Sequence, residues 1–257
     1  MQWENAMPPT AISKTHFDAV LFDLDGVVTE TAKVHAACWK KLFDDFLIEH
    51  ARQTDQLFVP FDIAEDYNRY VDGKLRQEGV SSFLQSRRIQ LPLGNSDAPA
   101  GQATVWGLGN RKDDMFMGVL REKGIDILED GMALVRYVRA EGLKTGVVSS
   151  SKNCQAVLIA ANIENYFDVR IDGITVKQLQ ISGKPAPDPF LKAAELLGVS
   201  PARSVVVEDA ISGVQSGRRG NFGLVVGVAR KGDAEALRKN GADIVVEDLR
   251  YFINLEI

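Results

Sequence analysis

Short apolar runs, each closed by an acid, a serine or a glycine, alternate along this chain with stretches whose apolar residues return every three or four positions. The first pattern reads as buried parallel strands and the second as amphipathic helices. Strands are predicted over residues 19–22, 144–149, 204–208, 223–228 and 243–246, with a weaker one over 166–172. Helices are predicted over 29–50, where Val34, Cys38, Leu42 and Phe46 share a face, and over 115–123, 131–141, 153–161, 211–217 and 233–240. Another, over 188–198, is opened by Pro189 and closed by Gly198. Strands that alternate with helices imply right-handed crossovers and an α/β fold built on a doubly wound parallel sheet. Residues from about 50 to 110 break the alternation. They mix aromatic and charged residues, as short helices do, and then run into the soft loop LPLGNSDAPAGQ. The same architecture resumes afterwards, so this segment reads as an all-helical insertion. The expected division is residues 1–33 and 114–257 for the sheet domain and 34–113 for the helical cap. Residues 1–15, with Pro8-Pro9, form a loose leader.

Composition narrows the function classes. A chain of 257 residues, 45% hydrophobic and 25% charged, has ordinary globular proportions. Its formal net charge of −5 gives no electrostatic case for nucleic acid or an anionic membrane surface. No apolar run approaches the ~20 residues of a membrane span, and the start lacks the basic head and apolar middle of a secretion signal. Cys38 and Cys154 stand far apart without metal-ligating neighbours and read as reduced thiols of a cytoplasmic protein.

The chemistry gathers at predicted strand ends, where open α/β sheets build their sites. Asp23 and Asp25 follow the first strand and begin on one face of it. Two such acids repel unless a cation or a shared proton relieves them. Ser149 ends the KTGVVS strand at a helix start, which suits an oxyanion and equally suits a plain helix cap. Lys184 is held between Gly183 and Pro185, either aimed into the site or standing as a loop lysine. Glu208 and Asp209 close an otherwise apolar strand, where acids bind a metal or cap a helix. Taken together, Asp23, Glu208 and Asp209 supply hard oxygen ligands for Mg2+, and Lys184 offsets part of the remaining charge. Asp23 is then placed to attack phosphorus, Ser149 to donate to a phosphoryl oxygen and Asp25 to move a proton.

This arrangement resembles the haloacid dehalogenase superfamily, through DLDG at 23–26, Ser149, Lys184 and Glu208-Asp209. The resemblance implies a Rossmann-like core with a helical cap, Asp23 as the nucleophile that becomes aspartyl-phosphate, and Asp25 as general acid/base. It also adds the Asp25 carbonyl to the metal ligands. Within the superfamily the chain looks most like the beta-phosphoglucomutase family, on DLDGVVTETAKVH, GKLR, NRKDD, SSSKN and GKPAPD. That likeness implies a hinge at Thr31, and a role for His35 in orienting Asp25. It implies substrate contacts from Arg76 and Lys112 in the cap and from Ser151, Lys152 and Asn153 after the second strand. The expected substrates are sugar monophosphates and bisphosphates, exchanged between β-glucose 1-phosphate and glucose 6-phosphate by a monomer. A sugar-phosphate phosphatase using the same aspartyl-phosphate stands as the alternative, and a non-catalytic phosphate-sensing module as a third reading. Extra cap length around residues 50–60 and 90–108 departs from the compact family members.

Overall fold

The structure, a computed structural model, describes residues 11–253. The leader therefore lies outside the described residues as far as position 10, and beyond it Ile12 is buried rather than loose. The elements run β1 (Ala19–Phe22), α1 (Thr31–Thr54), a π-helical stretch (Ile63–Val71), α2 (Arg76–Ser86), α3 (Val105–Lys123), α4 (Glu129–Ala140), β2 (Lys144–Val148), α5 (Cys154–Ala160) and β3 (Val169–Ile171). They continue through α6 (Gly173–Leu179), α7 (Asp188–Leu197), β4 (Ser204–Glu208), α8 (Ile211–Arg219), β5 (Leu224–Val228), α9 (Ala234–Lys239) and β6 (Ile244–Val246). The chain divides into two compact units, Met1–Glu30 with Ile125–Ile257 and Thr31–Gly124. These bounds differ from 33/34 and 113/114 because α1 and α3 each belong whole to the helical unit.

The sheet unit carries six strands in the order β3-β2-β1-β4-β5-β6, all parallel. The strand order reverses about β1, which makes the carboxyl ends of β1, β2 and β4 the switch-point crevice of an α/β sheet. Every residue of β1, β4 and β5 is buried, as strands covered on both faces require. Helix α7 packs against β1, β2 and β3, and α8 and α9 against β4, β5 and β6. Gly198, at φ +65°, ends α7 in the left-handed conformation, and its N–H bonds the Ala194 and Glu195 carbonyls. Helix α6 was not anticipated. Asp172 nucleates it by accepting N–H bonds from Ile174 and Thr175 at 3.0 and 2.9 Å, which outweighs a β-branched sequence with little helical propensity.

The helical unit is held by an aromatic centre. The Phe43 ring lies 5.3 Å from Trp39, 5.1 Å from Phe61 and 4.1 Å from Phe83, between centroids. Helix α1 buries Trp39, Leu42, Phe43 and Leu47 together with Cys38, so the seam is rotated from the one predicted. Val34 and Phe46 are only half-buried. Helix α3 begins ten residues earlier than the 115 expected. Gly107 and Gly109 weaken the sequence signal there, but Thr104 caps the helix by accepting the Gly107 N–H at 3.0 Å. Gly107 is needed for close approach, and Gly109 sits in tight contact with a side chain. A Cβ at Gly107 would lie 2.3 Å from the Gln102 carbonyl oxygen, and one at Gly109 would lie 3.3 Å from Arg76 Nε. Among the described residues no helix is long and apolar enough to cross a membrane. Cys38 and Cys154 are buried, free thiols.

Candidate active site

Strand register assembles the site. Phe22 is paired with Val147 on one side and Val207 on the other, so the residues that follow it emerge beside the ends of β2 and β4. Asp23 donates its N–H to the Val207 carbonyl at 2.9 Å, which brings it level with Glu208. Lys184 enters from the loop between α6 and α7, with its peptide to Pro185 cis. Its ammonium group donates to Asp23 Oδ1 at 2.6 Å, to Glu208 Oε1 at 2.6 Å and to the Val148 carbonyl at 2.7 Å. All three N–H groups are thereby used, in a side chain only 1% exposed.

Asp23, Glu208 and Asp209 bring one carboxylate oxygen each to within 4.8 Å of one another, and all three residues are buried. Burial raises the Asp23 carboxyl well above its ordinary value, and the charges of Glu208, Asp25 and Asp209 push it further than Lys184 can offset. Burial alone would lower the Lys184 ammonium, but Asp23 and Glu208 overcome this and leave it raised. Lys231 Nζ lies 3.5 Å from Asp209 Oδ2 and adds a second, weaker positive charge. The donor set fits a divalent cation on structural grounds. Gly26, at φ +90°, leaves room for Asp209, because a Cβ there would lie 2.2 Å from Asp209 Oδ2. Gly213 does the same for Glu208, whose Oε1 a Cβ would meet at 1.8 Å. Backbone has been cleared of side chains on both sides of the carboxylates.

Asp25 and Ser149 meet across the same edge. Ser149 Oγ donates to Asp25 Oδ2 at 3.2 Å and accepts the Ser151 N–H at 3.1 Å. Ser151 Oγ in turn accepts the Asn153 N–H at 3.2 Å, while Lys152 is exposed. The sheet unit thus gathers Asp23, Asp25, Ser149, Lys184, Glu208 and Asp209 at one edge, with Ser151, Lys152 and Asn153 in the turn that follows Ser149.

A family model for haloacid dehalogenase-like hydrolases matches residues 17–221. The chain belongs to this family. It is 51% identical over 234 residues to a beta-phosphoglucomutase of Mycobacterium bovis, covering 90% of this chain and 89% of that protein. It is 32% identical over 229 residues to a beta-phosphoglucomutase of Bacillus subtilis, covering 89% and 88%. A crystal structure of beta-phosphoglucomutase from Clostridium difficile superposes with a TM-score of 0.69 at 27% identity, covering 91% of this chain and 92% of that one. The chain is accordingly an enzyme of the phosphotransferase kind, most like beta-phosphoglucomutases within the haloacid dehalogenase superfamily.

The remaining expected residues of this haloacid dehalogenase member lie in its helical unit. Thr31 is buried as the first residue of α1, at the division between the units. Arg76, the first residue of α2, pairs with Asp113 at 2.9 Å and donates to Asn110 Oδ1 at 3.0 Å. Lys112 is buried, in contact with His35 Nδ1, and its charge lies 5.3 and 5.0 Å from the ring centroids of Trp39 and Phe116. His35 stacks on Phe116 at 4.1 Å. Two further cations escaped the sequence reading, Arg230 and Lys231. They follow the carboxyl end of β5, a position that becomes a site position only once the strand pairing sets β5 beside β4.

Proposed function

We propose that this enzyme is a Mg2+-dependent beta-phosphoglucomutase. It would interconvert β-D-glucose 1-phosphate and glucose 6-phosphate through an aspartyl-phosphate and glucose 1,6-bisphosphate. The observation that carries the reading is the clamped Asp23-Lys184-Glu208 cluster in a chain 51% identical over nearly its whole length to a beta-phosphoglucomutase.

The carboxylates of Asp23, Glu208 and Asp209 and the Asp25 carbonyl would hold Mg2+, whose charge offsets the repulsion between Asp23 and a phosphate. Lys184 fixes Asp23 Oδ1 and leaves its other oxygen to attack phosphorus. As the new oxygen–phosphorus bond forms, the bond from phosphorus to the sugar oxygen breaks, and that oxygen takes a proton from Asp25. In the reverse sense a sugar hydroxyl gives its proton to Asp25 while its oxygen takes the phosphoryl group from Asp23. Ser149 holds Asp25 through its hydroxyl, and is assigned to the transferred phosphoryl group. The second phosphate of a bisphosphate needs additional cations and donors. We assign Ser151, Lys152 and Asn153 of the sheet unit and Arg76 and Lys112 of the helical unit to substrate binding. The planar fork of Arg76 suits a phosphate. Thr31 is assigned to the hinge and His35 to control of Asp25. The helical unit, Thr31–Gly124, is assigned to a cap that keeps water from the acyl phosphate. Two buried thiols fit the reducing cytoplasm, and the enzyme is proposed to act there as a monomer.

The test is a phosphorus NMR time course with β-glucose 1-phosphate, Mg2+ and a trace of glucose 1,6-bisphosphate, run beside the α-anomer. Conversion of the β-anomer alone to glucose 6-phosphate is expected. Release of inorganic phosphate without glucose 6-phosphate would replace the mutase by a phosphatase.

A further inference from the structure

We propose that Arg230, held by Asp130, is a positioning residue for Asp25. The inference rests on the reading of Asp25 as the group that moves the proton. Asp25 is followed at once by Gly26, whose φ of +90° places the chain where other residues are strained. A glycine leaves both of its flanking peptide planes free to swing, so an acid next to it is aimed only if both planes are tied. The first tie is local, since Gly26 N–H bonds the Thr29 carbonyl at 2.8 Å, and Asp25 and Thr29 form a bridge. The second tie is Arg230, whose Nε donates to the Gly26 carbonyl at 3.0 Å across 204 positions of sequence.

The guanidinium is itself anchored on every side. Its Nη2 reaches Asp130 Oδ1 at 3.0 Å and Oδ2 at 2.8 Å, and Nη1 donates to the Glu247 carbonyl at 3.2 Å. Asp130 Oδ2 also accepts the Leu249 N–H at 3.0 Å, so the carboxylate is fixed in turn. Beside this brace the turn rests on α4. Leu128 N–H bonds the Val28 carbonyl at 2.8 Å, and a Cβ on Gly131 would come within 2.0 Å of the Val27 carbonyl oxygen. A planar fork with donors in fixed directions can satisfy Gly26, Asp130 and Glu247 together, whereas a lysine's single nitrogen cannot span them. Arg230 thus touches neither Asp25 nor the reacting atoms, and acts by holding the peptide between Gly26 and Val27, the second of the two planes that flank the glycine after Asp25.

A misaimed general acid slows departure of a poor leaving group and barely affects a good one. The experiment measures kcat/KM for release of the leaving group with Mg2+ present. It compares p-nitrophenyl phosphate, whose phenolate leaves without a proton, with a simple alkyl phosphate, whose alkoxide requires one. For Arg230→Met the expected result is an about 10–100-fold loss on the alkyl phosphate and a loss of no more than about threefold on the aryl phosphate. Arg230→Lys should recover part of the alkyl activity. Asp130→Asn keeps the packing while removing the carboxylate charge that anchors the fork, and should reproduce the same leaving-group dependence should Arg230→Met fail to fold. Equal losses on the two substrates, or none on either, would overturn the assignment. Asp25→Asn run in the same series separates the two claims. If it shows no leaving-group dependence, the reading of Asp25 is wrong. If it does and the Arg230 and Asp130 variants do not, only the positioning role falls.

Discussion

Replacing Lys184 by methionine tests the electrostatic basis of the site most directly. Its ammonium lies 2.6 Å from a carboxylate oxygen of Asp23 and 2.6 Å from one of Glu208, in a side chain 1% exposed. At an effective dielectric of about 20, each of these contacts corresponds to about 6 kcal/mol of attraction. Desolvation of the buried ions offsets much of that sum, and deletion of one partner of a buried pair typically costs about 3–5 kcal/mol because the other is left uncompensated. Methionine keeps most of the stem's volume, so packing contributes little to the change. The prediction is a loss of about 3–5 kcal/mol in urea unfolding measured in EDTA. The loss should shrink when Mg2+ is added, because a divalent cation at Asp23, Glu208 and Asp209 replaces the missing charge. It should also be smaller in acid, where a carboxyl raised by burial takes up a proton. Turnover should be lost in both conditions, since Asp23 is no longer held. A loss under about 1 kcal/mol in EDTA, or one of several kcal/mol indifferent to Mg2+, would show that Lys184 does not balance the carboxylate cluster.

Other consequences of the geometry can be measured separately. The Asp23 carboxyl is raised in the folded protein, so above about pH 4 the folded state binds more protons than the unfolded one, and stability falls as pH rises through that window. In EDTA, Asp23→Asn should therefore gain in melting temperature relative to wild type as pH increases, and a constant difference would contradict the raised value. Gly213→Ala places a Cβ 1.8 Å from Glu208 Oε1. It should cost about 1–3 kcal/mol despite lying within α8, where alanine otherwise helps, and should reduce the Mg2+-dependent rise in melting temperature. Arg76→Ala should slow sugar-phosphate interconversion by about 10–100-fold, the equivalent of about 1.5–3 kcal/mol for a charge-assisted contact, while turnover of p-nitrophenyl phosphate stays within about threefold. Equal losses on the two substrates would remove Arg76 from phosphate binding.

What was legible in the sequence follows from how a parallel sheet works. A buried strand must be apolar until it leaves the sheet, so an acid placed where Val206-Val207 gives way to Glu208-Asp209 is conspicuous. The ends of β1, β2 and β4 were each visible in that way, and register alone then brings Asp23, Ser149 and Glu208 together. Lys184 was legible by its residue type and its glycine-proline frame, although its reach to three partners was not. The misses have a common cause, which is that local propensity was overridden by a contact the sequence does not display. Helix α3 starts through two glycines, the first because the Gln102 carbonyl comes too close for a Cβ and the second beside the closely packed Arg76 side chain. Helix α6 forms on β-branched residues because Asp172 supplies its first hydrogen bonds. Lys112, no miss, was reached through its motif, and its burial against His35 and the faces of Trp39 and Phe116 is a further contact that no spacing displays.

Arg230 belongs to the same class, and it shows where sequence reading of such a site stops. The residues that do chemistry recur at strand ends because the sheet offers no other place for them. The residues that aim those groups can come from any element that packs nearby, and Arg230 reaches Gly26 from the far end of the chain. No periodicity marks it, and no spacing links it to Asp25. Its partners identify it instead. A half-buried arginine with its donors spread over a carboxylate and two backbone carbonyls has given up solvent for fixed geometry, and one of those carbonyls belongs to the residue after the proposed acid. Surface arginines of this chain such as Arg250, paired with its near neighbour Asp248, make no such commitment. The contrast predicts a division of effects. Loss of Arg250 should leave the leaving-group dependence untouched, and loss of Arg230 should steepen it.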